Sequence, residues 1–348
     1  MTKKQIILSP EEQIQNLNSA LKIVERDRDK YQAAYLSRKE LHQSILANLT
    51  PIKPSGRRPR KSESKNKPLA VSNLVLTDWH IGERCEKHSA GQDYNLMVAR
   101  DRMFEILKRY LSWTETMRAG YRIDTCHVYC LGDAVSGQIH PELLTHSDMP
   151  ITKSVVESAR LLAEVLERLS KEFNSVVVHE ISADNHGRLG DGRPPSKGAS
   201  QDNWTWLVHS LANAHVKSIR NITPYLYDDP MPVVEPLPGK YIRLQHGHQV
   251  AGVNSGPSPY YGISRYEARQ NQLRYQDNLP PTCLSLHAHW HHFAVIEEHT
   301  IVCPSLIGPS EYSRARGLSG APGQLAFLLS DRGPHGLTIF QGNPQKRV

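Results

Sequence analysis

Beyond residue 69, five short apolar runs each stop on aspartate, asparagine or histidine. LVLT runs into Asp78-Trp79-His80, and HVYCL into Gly132-Asp133. VVHEIS leads through Ala183 to Asp184-Asn185-His186, YIRLQ runs into His246-Gly247-His248, and CLSL runs into His287-Ala288-His289. Runs of this length, rich in Val, Ile and Leu and closed by polar residues, are expected as buried strands. Between them, residues 94–118, 152–173 and 200–218 read as helices. The second is strongly amphipathic, with Val155, Ala159, Leu162, Val165, Leu166 and Leu169 on one side. After residue 282 the strands TCLSL, FAVIEE, TIVCPS, LAFLLS and GLTIFQ outnumber helices. Alternation first and hairpins later predict an α/β class, a layered β-sandwich of mixed sheets flanked by helices. Ligands in open α/β sheets bind outside the carboxyl ends of strands, which is where these polar residues fall.

The chain before residue 69 has a different character. Ser9-Pro10-Glu11-Glu12 offers an N-cap, a proline at the first helical position and an acid three residues after the cap. From Ile14 to Leu49, steps of three and four pick out eight apolar or aromatic residues in eleven, the pattern of a coiled-coil seam. Residues 1–50 are therefore expected to form a helix. Residues 11–49 are candidates for self-association or capture of a partner. Residues 51–68, PIKPSGRRPRKSESKNKP, cannot bury apolar surface and are expected as a flexible basic linker. Of the formal net charge of +7, this segment carries +6 and the first fifty residues +2, so residues 69–348 stand at −1. That remainder is the expected catalytic domain. No apolar run approaches the roughly 18 residues of a membrane span, and the N-terminus lacks a signal-peptide core. Five cysteines, mostly in apolar runs, suggest reduced core residues and a cytoplasmic setting.

The residue types at the strand ends suit one chemistry in particular. Two divalent cations about 3.5–4 Å apart can clamp a phosphate and activate a water between them. Such a site needs a carboxylate shared by both ions, with imidazoles and oxygen donors on either side. Spacing i, i+2 puts two side chains on one face of an extended segment. Asp78 with His80, and His287 with His289, can thus converge. His291 continues the parity beyond the site and His292 points the other way, so both are expected at the surface or behind the ligands.

The ordered set D-x-H, GD, NH, H-G-H and H-x-H resembles the calcineurin-like metallophosphoesterase superfamily over about residues 70–310. The resemblance implies that superfamily's layered fold and a dinuclear metal centre. It makes Asp78, His80 and His289 ligands of a first metal and Asp133 the bridge. Asn185, His246 and His287 become ligands of a second, with His248 a weaker candidate. His186 becomes the residue that faces the substrate and protonates the leaving oxygen. Ser136 stands where the family commonly has an acid that orients this histidine, so another group must hold its ring. Leu286 replaces a glycine of the last motif.

LGDAVSGQIHPELL, NHGR and PSLIGPSEYSRARG are further similar to phosphoesterases of bacteriophages and prophages grouped with DNA repair exonucleases. This implies a nuclease or phosphodiesterase acting on DNA in a bacterial or phage-infected cell, with water activated by two metals as the nucleophile. Arg188, Arg193 and Lys197 are candidate phosphate contacts, and the basic linker a second one. Manganese is the expected metal, with Fe²⁺ or Zn²⁺ as alternatives. The nearly neutral body keeps open a phosphomonoesterase or a small-nucleotide phosphodiesterase. A binding module without activity is a third possibility.

Overall fold

The computed structural model describes residues 66–139, 143, 147–189, 200–250, 259–315 and 320–342, with Gln15, Ser19, Leu21, Lys22, Glu25, Arg26 and Pro51. The chain divides into two units, residues 1–49 and 50–348. In the first, the six described positions are helical and exposed. The heptad seam as a whole, and nearly all of the linker, lie outside the described residues.

The second unit is α/β, with two mixed sheets flanked by helices. The first sheet has the order β11 (Gly333–Gln341), β10 (Gly323–Ser330), β1 (Ala70–Leu76), β2 (Thr125–Cys130), β3 (Ser175–Ile181), β4 (Ile222–Tyr227). β1 to β4 run parallel, and β10 and β11 add antiparallel pairs. The second has the order β5 (Val233–Leu237), β6 (Lys240–Gln245), β7 (Leu284–His287), β9 (Thr300–Val302), β8 (Ala294–Ile296). Val71, Val75, Tyr129, Ile181 and Phe327 from the first sheet meet Ile242, Leu244, Leu284, Leu286 and Ile301 from the second in one buried core. Every residue of β1 is buried, as expected of a parallel strand covered on both faces.

Short α1 (Lys87–Ala90) precedes the outer helices α2 (Leu96–Met117), α3 (Ile151–Glu172) and α4 (Trp204–Val216), which pack on the first sheet and on one another. Asn95 caps α2 by accepting from the Val98 amide, and Asn203 caps α4 by accepting from Thr205. The six apolar positions named for α3 are all buried.

Helix α5 (Pro259–Gln276) is an element for which the sequence gives no helix signal. One of its inward positions is Glu267, 1 % exposed, so no continuous apolar stripe marks it. Ile263 packs with Ile296 and Val302, while the Glu267 carboxylate binds Arg243 at 2.7 Å, Gln245 at 2.8 Å and Ser285 at 2.7 Å. β4 and β5 also escape the sequence reading. Short α6 (Glu311–Ala315) precedes the last hairpin. Among the described residues, no helix is long and apolar enough to cross a membrane.

Candidate metal centre

Beyond the ends of β1 and β2 the two segments stay side by side. The Asp78 amide donates to Gly132 O (3.2 Å), His80 to Asp133 O (3.0 Å) and Ser136 to Ile81 O (3.1 Å). This ladder brings Asp78, His80 and Asp133 together in the interior, each at most 2 % exposed. Gly132, at φ +97°, is needed here. A Cβ would come within 2.8 Å of Asp184 Cβ and 3.0 Å of His246 Nδ1.

Two clusters of potential ligand atoms result: Asp78, His80, Asp133 and His291; and Asp133, His246 and His289. Asp133 belongs to both. In the first cluster His80 Nε2 lies 3.1 Å from His291 Nε2 and 3.6 Å from Asp133 Oδ2, and His291 Nε2 lies 3.5 Å from Asp78 Oδ1. In the second, His246 Nε2 lies 3.2 Å from Asp133 Oδ2 and 3.0 Å from Asn185 Oδ1, so the Asn185 amide oxygen joins this side. The His246 Nδ1–H donates to Leu131 O at 2.8 Å, which turns the lone pair of Nε2 toward Asp133 and Asn185. Acceptors then face one another, and Asp133 Oδ2 is buried with no hydrogen-bond partner. Such a set of buried donor atoms could hold a cation. Burial opposes a charge on His80 and His246. The carboxylates outweigh it, Glu83 first for His80 and Asp133 first for His246, lifting the rings to about 9 and about 10.

The backbone here is unusual. Eight non-glycine residues have left-handed φ among those described, and five of them are Asp78, His80, Asp133, His289 and His291.

The H-x-H stretch differs from the sequence reading. In β6 and β7, Ile242, Leu244, Leu284 and Leu286 face the sheet-to-sheet core. The residues between them, Arg243, Gln245, Ser285 and His287, meet Glu267 of α5. His287 is still within the strand and lies in neither cluster. Its Nε2 sits 2.9 Å from Glu267 Oε1 and 2.9 Å from Gln245 Nε2. The strand then ends, and φ values of +75° at His289 and +58° at His291 break the two-residue parity. His289 therefore joins Asp133 and His246, on the side opposite to that expected. His291, expected outside the site, takes its place beside Asp78 and His80. The signal was a second i, i+2 pair, His289 and His291. The ring of His248 is 5.5 Å from that of His246 and belongs to neither cluster.

His186 stands against the first cluster, its ring centroid 4.4 Å from that of His80. Its amide donates to Asp133 Oδ1 (3.1 Å) and its Nδ1 to the backbone carbonyl of Ser136 (2.7 Å). The ring is thus oriented by the residue that lacks the expected acid, through its main chain. Burial, more than the opposing Asp133 charge, pushes His186 down to about 4. Asp184 faces the loop backbone, with Oδ2 accepting from the Asp133 amide (2.8 Å) and Oδ1 from Gly187 (2.7 Å). Arg188 is half-buried beside the site, its charge acting on His248. Arg193 and Lys197 lie outside the described residues.

No family profile and no curated protein sequence matches the chain. Among solved structures, a protein assigned as a 5′-nucleotidase from Staphylococcus aureus, in complex with α-ketoglutarate, is similar at a TM-score of 0.31 and 10% identity. The likeness covers 78% of this chain, which spans only 54% of that one. Phosphopantetheinyl hydrolase from Mycobacterium tuberculosis is similar at 0.27 and 13% identity, covering 80% of this chain and 98% of that one. At these scores neither likeness establishes a shared fold.

Proposed function

We propose that the protein is a metal-dependent phosphodiesterase of the metallophosphoesterase type. Asp78, His80 and His291 would hold one divalent cation, Asn185, His246 and His289 a second, and Asp133 would serve both. The observation that carries this is the buried Asp133 Oδ2, shared by two clusters and without a hydrogen-bond partner. Imidazole, carboxylate and amide oxygen without thiolate suit Mn²⁺, Fe²⁺ or Zn²⁺, and manganese is our choice. Bound there, the pair would neutralise a phosphate and lower the pKa of water.

The chain's own groups do the rest. The Leu131 carbonyl keeps the Nε2 of His246 turned inward. The Ser136 carbonyl and Asp133 hold His186 by its ring and its amide. The negative charge of a bound phosphate favours the protonated ring, which can then deliver a proton to the leaving oxygen.

DNA is the substrate we favour. The +6 charge of residues 51–68 supports it, because phosphate neutralisation releases counterions, and Arg188 lies beside the site. A dimer formed through residues 11–49 would set two such tethers side by side. The −1 charge of residues 69–348 favours a second reading, a small phosphate ester as substrate. The test is hydrolysis of plasmid, single-stranded oligonucleotide, an aryl phosphodiester and an aryl phosphomonoester with added manganese. Nuclease activity that Asp133→Asn abolishes supports the DNA reading. Activity on the monoester alone replaces it with the second.

A further inference from the structure

Glu83 belongs to neither ligand cluster, yet it touches both halves of the machinery. It follows His80 by three residues, its amide donates to His80 O (3.1 Å), and its side chain is 14% exposed. Its Oε2 lies 3.5 Å from His80 Nδ1 and accepts a hydrogen bond from Ser136 Oγ at 2.9 Å. The 3.5 Å contact is longer than a good hydrogen bond. His80 Nδ1 has no hydrogen-bond partner, and Glu83 is the carboxylate that faces it. The opposite nitrogen, Nε2, is the one that meets His291 and Asp133.

An imidazole ligand needs its second nitrogen protonated and held, or the ring can present the wrong tautomer. Glu83 is placed to do this for His80. It also braces Ser136, whose carbonyl orients His186. One carboxylate thus connects a ligand ring to the ring over the substrate, and it comes from the loop after β1, not from the segment after β2.

We infer that Glu83 is a positioning residue of the metal centre, fixing the His80 tautomer that offers Nε2 to a cation and steadying the Ser136 support of His186. The inference rests on the two-cation reading above. It is tested by titrating manganese chloride calorimetrically into the metal-free full chain, with circular dichroism to confirm folding. The wild type should take two ions. In Glu83→Gln one ion should bind about 10–100-fold more weakly and the other almost as before. The weakened ion must be the one that His80 holds. Adding Glu83→Gln to His80→Ala should cost little more, whereas adding it to His246→Ala should cost the full factor. Glu83→Asp, which keeps a carboxylate, should recover part of the loss. If Glu83→Gln does not fold, Ser136→Ala removes the hydroxyl that braces the carboxylate and should weaken the same ion by a smaller factor. Unchanged affinity for both ions, or equal weakening of both, overturns the inference. A wild type that takes no ion overturns the two-cation reading, and this inference with it, before any variant is made.

Discussion

Glu180 of β3 should make the protein less stable as pH rises, and replacing it should remove that dependence. The side chain is buried between the first sheet and α4, where Oε2 accepts from Asn213 Nδ2 at 2.7 Å and Oε1 has no partner. Burial pushes its carboxyl up to about 8, against an ordinary glutamate value of 4.5. Below 4.5 the folded and unfolded chains both carry the proton, and the contribution to stability is fully present. Between 4.5 and about 8 the unfolded chain gives the proton up while the folded chain keeps it, so stability falls. Each pH unit between the two values is worth about 1.36 kcal/mol, so the full loss is roughly 5 kcal/mol. Glu180→Gln keeps the shape and an oxygen for Asn213 and cannot ionise. Urea unfolding of both proteins at pH 5, 6.5 and 8.5, at matched metal content, reads the effect. The amide of the variant adds a constant offset; the test is the slope. Its advantage over the wild type should grow with pH by a few kcal/mol. A difference that stays flat across this range would refute the argument that burial keeps Glu180 protonated.

Further outcomes follow from the site. Asp133→Asn should weaken both manganese binding events in a calorimetric titration, whereas His246→Ala should weaken one. Gly137→Ala should act like loss of His186. Gly137 sits at φ +67° and a Cβ would lie 1.8 Å from His186 O, so kcat for an aryl phosphodiester should fall roughly 10²–10⁴-fold with both ions retained. Deleting residues 1–68 should leave that small-substrate rate unchanged and weaken DNA binding most at low salt, measured by fluorescence anisotropy.

Much of this arrangement is legible before any coordinate is known. Apolar runs closing on Asp78, Asp133, Asn185 and His246 announce strands that deliver polar groups to one edge, and α3 announces its buried side by spacing alone. What stays hidden has physical causes. α5 hides because its inward face carries Glu267, a carboxylate satisfied by Arg243, Gln245, Ser285 and His287 from the sheet beneath. The choice among His287, His289 and His291 turns on where β7 ends, and two left-handed residues shift the parity there. The support of His186 is a backbone carbonyl, which every residue has and no side-chain pattern reveals.

The left-handed backbone at Asp78, His80, Asp133, His289 and His291 limits how the protein can be strengthened. An L-residue in that conformation costs roughly 1–2 kcal/mol, so five of them together approach the whole net stability of an ordinary domain. Glycine would relieve the cost at each position and delete a proposed ligand at each. The usual route to a hardier variant, easing strained backbone, is therefore closed where the strain is greatest. Durability and chemistry are in direct competition at this one corner of the molecule, and any lineage selected for heat resistance would have to find its gains elsewhere.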